Sequence, residues 1–450
     1  MAWLELAVKG TNAFLWDFLL LILLCGTGIY LTIRLRFIQV RGFREAFRRT
    51  FGAIKFGQKA DGGGMSPFQS FATAVAAQVG TGNLAGAATA VLSGGPGAIF
   101  WMWVSAFFGM ATIFTEATLA QQYKTTVDKE VCGGPVYYIR QAFRGRAGKV
   151  LGGVFAVLII LALGFMGNMV QSNSIGEAFG QAFHIPPWVV GFVLAALSLV
   201  VFAGGVRRIA SVTEKLVPVM ALLYIAGALI VIVCHAGRVP QAFASIFIGA
   251  FRPGAVFGGV AGITIREAVR YGVARGLFSN EAGMGSTPHA HAVAKGKHPC
   301  DQGYVAMMGV FVDTFVILTL TALVLLVTGV CTPDAPQGVA LTQAGFCTVF
   351  GQAGNVFIAI CMFFFAFSTI VGWYFFARIN VRYLFGRKAI KFFAVLVACF
   401  VALGAFLRVD FVWALADCFN GLMVIPNLLA VLALSGRTVS FIRKAEKDRV

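Results

Sequence analysis

Charged side chains are scarce in this sequence, and acidic ones are the scarcest. Only 12% of the 450 residues are charged, with 18 acidic residues against 36 basic ones. Soluble domains have about 25% charged residues, so this composition excludes a water-soluble protein. Hydrophobic residues make up 59% of the chain and the mean hydropathy is +0.84. We therefore expect an all-α membrane protein without a separate soluble domain.

Two other features are missing. The N-terminal segment lacks the basic stretch and the small-residue cleavage site of a secretory signal, so its apolar residues predict a permanent first helix. The nine cysteines show no metal-binding spacing and lie mostly within apolar stretches, as packing residues do. Cys331 and Cys347 are the exception, because they flank a predicted outer loop where they could pair.

Signatures of catalysis are missing as well. His289 and His291 have no carboxylate or third ligand nearby in the sequence, so they do not predict a metal centre. No recognisable set of a nucleophile and a base accompanies them. The sequence therefore predicts that the protein is not an enzyme.

Apolar windows of about 20 residues predict eleven membrane spans. They lie near 13–33, 66–91, 97–122, 150–172, 187–204, 214–235, 255–276, 303–330, 347–377, 390–407 and 411–435. Lys and Arg crowd alternate loops, while the loop at 331–346 has none. Because basic loops stay cytoplasmic, this places the N-terminus outside and the C-terminus inside. The net charge of +18 is explained by this topology and by contact with anionic lipid, without nucleic acid.

The segment "AAQVGTGNLAG" (76–86) interrupts the second predicted span with three glycines and with Gln78, Thr81 and Asn83. Glycines in membrane helices commonly serve close packing. Polar side chains at the middle of a span are costly, however, and mark a site. An unwound turn would leave carbonyls free for a cation and amides free for a carboxylate.

A second interruption is predicted in the span 255–276, where Gly258, Gly259 and Gly262 precede a helical stretch. It lies five spans after the first. Interrupted helices at matching positions of two five-helix halves are typical of inverted-repeat transporters with a site at the midplane.

Helix 347–377 offers hydroxyls for the opposite wall of such a site. Ser368 and Thr369 are adjacent in a very apolar helix. They either bond back to their own helix or join the freed carbonyls as oxygen ligands of a hard cation such as sodium. Gln171 has two comparable readings, a contact with the substrate or a hydrogen bond between helices. The acidic side chains Glu116, Asp313 and Asp417 favour structural pairing over ion transfer.

Several long motifs carry a family resemblance. These are "SPFQSFATAVAAQVGTGNLAGAATA", "GPGAIFWMWVSAFFGMAT", "GGPVYYI", "RGLFSNEAGMGSTPHAHA", "FVDTFVILTLTALV", "FAFSTIVGWYFF" and "FNGLMVIPNLL". The chain resembles the alanine or glycine:cation symporter family (AGCS) from about residue 66 to 436. The resemblance implies a LeuT-like fold of the APC superfamily, with a 5+5 inverted repeat, two broken helices and one extra N-terminal helix.

The resemblance also implies an organisation and a function. Residues 1–65 would form the extra helix and a basic amphipathic segment, 66–436 the transporter core, and 437–450 a basic cytoplasmic tail. The function would be sodium-coupled uptake of a small neutral amino acid, alanine or glycine, across a prokaryotic plasma (inner) membrane. Na⁺ would be the coupling ion, with no organic cofactor and no obligate protein partner. A proton-coupled carrier of the same fold and a channel are the alternatives.

Residue roles follow from the resemblance position by position. The carbonyls of Ala76 and Val79 and the hydroxyls of Ser368 and Thr369 would surround one sodium ion. Asn83 would touch the substrate or a second ion. The amino acid would be bordered by Gly80, Thr81, Gly82, Gln171 and Trp373, with Ile265 and Val269 closing the pocket. Trp373 would exclude long side chains by overlap.

Two positions depart from the family pattern. After "GWYFF" the family continues with glycine and an acidic residue, whereas this chain has Ala377 and Arg378. Gln78 replaces a smaller residue. The change to Arg378 affects a contact expected at the inner gate. The change to Gln78 affects the number of bound ions or the choice of substrate. Glu281 and Asn280 are expected as gate contacts at the cytoplasmic end of the second broken helix.

Overall fold

A computed structural model describes residues 2–52, 64–127, 130–252, 264–332, 334–407 and 410–447. Their regular structure is helical, as expected for an all-α fold, apart from one short β-hairpin. The hairpin pairs β1 (Thr125–Val127) with β2 (Glu130–Cys132) in antiparallel register, with Thr126 opposite Val131.

The N-terminal part consists of a long helix and a shorter amphipathic pair. The long helix is α1 (Ala2–Phe14), a π-helical turn (Leu15–Leu19) and α2 (Leu20–Arg34). α3 (Ile38–Arg41) and α4 (Phe43–Phe51) follow a left-handed turn at Phe37. Glu45 of α4 pairs with Arg48 at 2.7 Å, and Arg49 pairs with Asp301. The basic segment therefore lies against the helix bundle.

The first broken helix opens the main bundle. It comprises α5 (Pro67–Gln78), a π-helical turn (Gly82–Gly86) and α6 (Ala87–Gly94). The following helices are α7 (Gly97–Gln122), α8 (Pro135–Ala142), α9 (Arg146–Ile159) with a π-helical turn (Ile160–Gly167), α10 (Asn168–Phe183), α11 (Pro187–Ala203), α12 (Gly205–Cys234), a 3₁₀ turn (Ala236–Arg238) and α13 (Val239–Phe251).

The second part of the bundle again contains a broken helix. The elements are α14 (Ile265–Asn280), α15 (Pro288–Val293), α16 (Pro299–Val310) with a π-helical turn (Phe311–Leu318), α17 (Thr319–Thr328), α18 (Val339–Phe350), α19 (Gln352–Phe385), α20 (Ala389–Gly404) and α21 (Asp410–Lys447).

Seven helices of the described residues are long and apolar enough to cross a membrane. They are Glu5–Arg34, Gly97–Gln122, Arg146–Phe183, Gly205–Cys234, Pro299–Thr328, Gln352–Phe385 and Phe411–Ala445. Shorter apolar helices are Pro187–Ala203, Val339–Phe350 and Ala389–Gly404. The count of eleven crossings stays a prediction.

Some predicted boundaries change. The span 347–377 joins the end of α18 to α19, because the apolar sequence continues through the turn at Gly351 that separates the two helices. The predicted boundary between 436 and 437 falls inside α21, which continues to Lys447. α5 begins one residue after the predicted boundary at 65/66, and Ser66 caps it by accepting the Gln69 amide at 3.1 Å. The domain division itself stays a prediction.

α19 is the central helix of the bundle. Its residues from Phe365 to Arg382 are all buried, and it packs against α5, α10, α12 and α20. A helix that is apolar on all sides and enclosed by others fits the interior of a membrane bundle. This position brings Ser368 and Thr369 next to the interruption of the first broken helix.

Candidate functional site

The first interruption lies at Val79 and Gly80, as the sequence predicts. Val79 leaves the helical conformation with φ −82° and ψ 90°. In a continuous helix the Gly80 amide would donate to the carbonyl of Ala76, four residues earlier. It donates instead to Asn83 Oδ1 at 3.0 Å, and the Thr81 amide donates to Gln171 Oε1 at 3.2 Å. The break therefore frees the Ala76 carbonyl for another partner.

The freed carbonyls meet the two hydroxyls of α19. Thr369 Oγ1 lies 2.9 Å from the Ala76 carbonyl oxygen and 3.5 Å from that of Val79. Ser368 Oγ lies 3.3 Å from the Ala76 carbonyl oxygen. All four side chains are buried. The structure thus brings together the four groups that the sequence assigns to a cation.

A fifth oxygen belongs to the same cluster and escaped the sequence reasoning. The Phe365 carbonyl lies 2.8 Å from Ser368 Oγ and 3.0 Å from Thr369 Oγ1. The two hydroxyls therefore also bond to a carbonyl of their own helix, which was the alternative prediction for them. The sequence contained the signal for this contact, because the hydroxyl of a Ser or Thr in a helix can reach the carbonyl three or four residues earlier. Hard cations prefer such oxygen ligands.

Small residues let α5 and α19 approach at this point. A Cβ on Gly372 would lie 3.0 Å from the Ala77 Cβ, and a Cβ on Gly80 would overlap Thr369 Oγ1. A Cβ on Gly82 would lie 3.0 Å from Ser279 Cα in α14. The glycines at 80 and 82 therefore serve close contact with α19 and α14, respectively.

Asn83 is held by a buried carboxylate. Its side-chain amide donates to Asp313 Oδ1 at 2.7 Å. The same carboxylate accepts from Ser279 Oγ at 2.9 Å and from Thr314 Oγ1 at 2.8 Å. Asp313 thus links the first broken helix to α14 and to the π-helical turn that follows α16. The sequence predicted structural pairing for Asp313 but missed Ser279.

The second interruption lies between α14 and α15. Glu281 has a left-handed conformation with φ 57°, and Gly283 has φ 94°. Residues other than glycine rarely adopt positive φ values. The predicted break at Gly258, Gly259 and Gly262 lies outside the described residues. Asn280 and Glu281 therefore lie at the interruption itself, not at the cytoplasmic end of the helix.

Side chains from other helices satisfy the backbone groups of this interruption. Gln78 Nε2 donates to the Asn280 carbonyl at 2.7 Å. The Gly283 amide donates to Glu116 Oε2 at 3.0 Å, and Asn427 Nδ2 donates to the Gly283 carbonyl at 2.8 Å. Unpaired backbone groups inside a membrane are costly, so these contacts stabilise the unwound segment. The unusual Gln78 thereby connects the two broken helices.

Glu116 pairs with amide groups and not with Lys124, the basic residue that follows it in the sequence. Its second oxygen accepts from Asn427 Nδ2 at 2.5 Å. Lys124 donates to Gln121 Oε1 at 2.7 Å and to the Ala294 carbonyl at 3.1 Å. Burial lowers the pKa of Lys124. Glu116 is a structural partner of the second interruption.

Trp373 and Gln171 flank the same region. Trp373 Nε1 donates to Glu281 Oε1 at 2.5 Å, and its ring packs edge-on against Phe278. Two roles were predicted for Gln171, a contact with the substrate or a hydrogen bond between helices. The structure has the hydrogen bond between helices, because Gln171 accepts from the Thr81 amide. Trp373 follows Thr369 by one helical turn, so the predicted amino-acid and cation residues are neighbours.

Ile265 and Val269 do not close this pocket. Ile265 is the first residue of α14 and is 47% exposed. It precedes Ser279, which touches Gly82, by fourteen residues, or about 21 Å along the helix axis. The correct neighbours from this helix are Phe278 and Ser279 at its other end.

Ion pairs lie beyond the two interruptions. Arg378 pairs with Glu130 of the hairpin at 3.2 Å, and Arg382 binds the same carboxylate. Arg275 pairs with Asp417 at 3.3 Å, which confirms the structural pairing of Asp417. The departure at Arg378 thus supplies a contact between α19 and the hairpin.

The two histidines of the sequence "HAH" are held by hydrogen bonds. His289 Nδ1 donates to the Ser286 carbonyl at 2.7 Å, and His291 Nδ1 donates to Gln302 Oε1 at 2.9 Å. Across the ranges that the structure describes, no group of three or more His, Cys, Asp or Glu residues could hold a metal ion. Cys331 and Cys347 are both free thiols.

Comparisons with known proteins give the family to which the whole chain is similar. A family model described as "Sodium:alanine symporter family" matches residues 1–449. "Sodium/alanine symporter AgcS" of Methanococcus maripaludis is 42% identical over 96% of this chain and 95% of its own. "Probable sodium/glutamine symporter GlnT" of Bacillus subtilis is 41% identical over 96% of this chain and 88% of its own.

A solved structure shares the fold at much lower sequence similarity. The crystal structure of MhsT in complex with L-phenylalanine has a TM-score of 0.60 and 14% identity, and the match covers 80% of this chain and 89% of MhsT. MhsT has the LeuT fold. This likeness shows that the present chain has a LeuT-like fold.

Proposed function

Because this chain belongs to the sodium:alanine symporter family, we propose that it takes up alanine or glycine together with sodium by alternating access. Family members are transporters, so the chain is a multi-pass membrane transporter and not an enzyme. The finer statements, namely the substrate and the coupling ion, rest on the geometry of the two interruptions.

The oxygen cluster at the first interruption carries the proposal. The carbonyls of Ala76 and Val79 and the hydroxyls of Ser368 and Thr369 offer partial negative charge without a formal charge. A sodium ion bound there would join α5 to α19, since its ligands come from both helices. The hydroxyls would then turn their lone pairs toward the ion and their hydrogens away from the carbonyls.

The substrate would bind at Thr81, two residues after the last ion ligand in the first broken helix. The Thr81 amide lies at the start of the outer half-helix, where the helix dipole favours a carboxylate. We infer that the substrate carboxylate replaces Gln171 Oε1 on this amide. Trp373 and the close contacts at Gly80 and Gly82 would exclude a long substrate side chain by overlap.

The two sites would be coupled through the interruption they share. Ion ligands end at Val79 and the substrate amide begins at Thr81, with only Gly80 between them. A cation that orders Val79 also orders Thr81, so each ligand raises the affinity for the other. Asn83, which fixes the Gly80 amide, would contact the substrate or a second ion.

The topology is part of the proposal. Basic loops place the N-terminus outside and the C-terminus in the cytoplasm of a prokaryote. The core at 66–436 would contain the 5+5 inverted repeat, preceded by the extra helix of residues 1–65. Eleven crossings satisfy this orientation, since α5 with α6 and α14 with α15 would each cross once.

Transport by purified protein in liposomes tests the function. We expect accumulation of labelled alanine under an imposed sodium gradient, inhibition by glycine, and weaker inhibition by glutamine. Accumulation driven by a proton gradient without sodium would support the proton-coupled alternative and contradict ours. A carrier also exchanges labelled for unlabelled alanine in saturable counterflow, whereas a channel does not.

A further inference from the structure

A large cavity lies where α19 ends and α20 begins, and none of its lining residues belongs to the two interruptions. Its volume is about 990 Å³, and it is lined by the last residues of α11, by the C-terminal part of α19, by the start of α20 and by Glu130 of the hairpin. Ligand cavities usually measure about 300–1,000 Å³. The space is therefore sufficient for a small organic ligand or a lipid headgroup.

Basic side chains dominate the lining. Arg387, Lys388 and Lys391 are exposed at its rim. Within the described part of the chain, no acidic side chain forms an ion pair with any of these three. Glu130, the acidic residue of the lining, is engaged by Arg378 and Arg382. The cavity is therefore suited to an anion.

The direction of α20 adds to this preference. α20 begins at Ala389, directly after Lys388, and continues for 16 residues to Gly404. The first amides of a helix have no partner within it, and they attract negative charge together with the helix dipole. The Ile390 amide donates to the Arg387 carbonyl at 3.3 Å, so a phosphate group at the rim would meet the remaining first amides together with the three basic side chains.

One of the residues that line the cavity has a buried hydroxyl without a partner. Tyr374 lines the cavity and is fully buried, and its hydroxyl makes no hydrogen bond. The ring is fixed between Phe202, at 3.6 Å between ring centroids, and Phe393, at 5.6 Å. Because the stacked ring cannot turn the hydroxyl away, a polar ligand atom would satisfy it.

The remaining walls are apolar and continue onto the outer surface of the bundle. Leu199 of α11 and Val395 of α20 line the cavity and are 37% and 53% exposed. Phe392, one residue after Lys391, is 73% exposed. Inorganic phosphate gains nothing from such walls, whereas acyl chains do. Basic pockets between membrane helices are suited to anionic lipid headgroups.

We propose that this cavity is a binding site for the phosphate headgroup of an anionic phospholipid. Arg387, Lys388 and Lys391 hold the phosphate, the Tyr374 hydroxyl bonds to a deeper polar atom of the headgroup, and the acyl chains lie along α11 and α20. The site is distinct from the transport site, although Tyr374 follows Trp373 directly on α19. Bound lipid therefore restrains the part of α19 that carries the substrate residues.

Lipid titration of the detergent-solubilised full chain tests the proposal, with bound lipids counted by native mass spectrometry. The arms are dioleoyl-phosphatidylglycerol, dioleoyl-phosphatidylcholine and inorganic phosphate. We expect one phosphatidylglycerol to bind in preference to phosphatidylcholine. The combined Arg387→Gln, Lys388→Gln and Lys391→Gln variant should bind about 100-fold more weakly. Tyr374→Phe keeps the stacked ring and should weaken binding about 5-fold.

A matched variant controls for the general loss of charge. Arg144→Gln, Arg146→Gln and Lys149→Gln remove three exposed basic residues at the start of α9 and should leave the preferred lipid in place. Equal affinity of the parent and the 387/388/391 variant would overturn the proposal. Inorganic phosphate that displaces phosphatidylglycerol at equal concentration would also overturn it, because the site would then recognise the anion alone.

Discussion

Replacement of Thr369 by valine is the most direct test of the oxygen cluster. Valine has nearly the same shape as threonine, so Thr369→Val removes the hydroxyl and keeps the packing of α19. That hydroxyl is 2.9 Å from the Ala76 carbonyl oxygen and 3.5 Å from that of Val79. Ser368 Oγ is farther from the Ala76 carbonyl, at 3.3 Å. We therefore expect Thr369→Val to have a larger effect than Ser368→Ala.

The size of the effect follows from the loss of one oxygen facing a cation. Interactions of this kind contribute about 1.5–3 kcal/mol when one partner is charged. Since about 1.4 kcal/mol corresponds to a factor of ten, the sodium concentration for half-maximal uptake should rise roughly 10- to 100-fold. Alanine affinity at saturating sodium should change less, because the substrate contacts begin at Thr81.

Sodium activation of alanine uptake in proteoliposomes measures this change. Thr115→Val is the matched control, since the Thr115 hydroxyl is buried in α7 and bonds only to the Ala111 carbonyl of its own helix. Its sodium activation should equal that of the parent protein. If Thr369→Val also activates at the parent sodium concentration while both variants insert normally, the assignment of the cluster to sodium is refuted.

Three further substitutions or treatments separate the remaining parts of the argument. Gly80→Ala should abolish uptake with normal membrane insertion, because its Cβ would overlap Thr369 Oγ1. Gly86→Ala is the control and should remain active, because its Cβ would meet only one atom, at 3.9 Å. Equal uptake by both variants would contradict the close-contact argument. Glu130→Gln removes the ion pairs to both arginines of α19. We expect a cysteine introduced near the hairpin to be labelled faster from the cytoplasmic side in this variant. An unchanged labelling rate would show that these ion pairs do not close the inner face. Reductant should leave uptake unchanged, since Cys331 and Cys347 are free, and loss of uptake under reductant would indicate a disulfide.

The first interruption could be predicted because its signals contrast with their surroundings. Glycines and amide side chains at 78–83 interrupt an otherwise apolar span, and Ser368 and Thr369 are equally conspicuous within α19. Local composition therefore found both halves of the oxygen cluster. Their meeting depends on packing between helices that are far apart in the sequence, and the family resemblance supplied that information.

The second interruption was harder to place for a physical reason. Its glycines, Gly283 and Gly285, lie among polar residues, so a search for apolar spans ends before reaching them and favours the glycines upstream. The sequence "NEAGMGSTP" nevertheless has the turn residues that would have shown it. The contact of α14 with the first broken helix comes from Ser279, near the C-terminal end of α14, and the sequence around Ile265 and Val269 gave no sign of it.

Partners of buried carboxylates could not be read from the sequence. Glu116 and Asp313 are isolated acids in apolar stretches, and their contacts with Gly283 and Ser279 exist only in the packed bundle. The β-hairpin was also missed, because its strands are only three residues long.

The contact between Gln78 and the second interruption has a consequence for how this lineage can vary. The Gln78 side chain passes beside Gly309 of α16, where an added Cβ would lie 2.7 Å from its Oε1 atom. The Gln78 side chain therefore occupies space that a side chain at position 309 would need. Homologues with a short side chain at the first position leave this space open to alanine or serine at the second, whereas in sequences that carry glutamine the end of that side chain must shift to admit them. Substitution histories at these two places should be correlated for that steric reason.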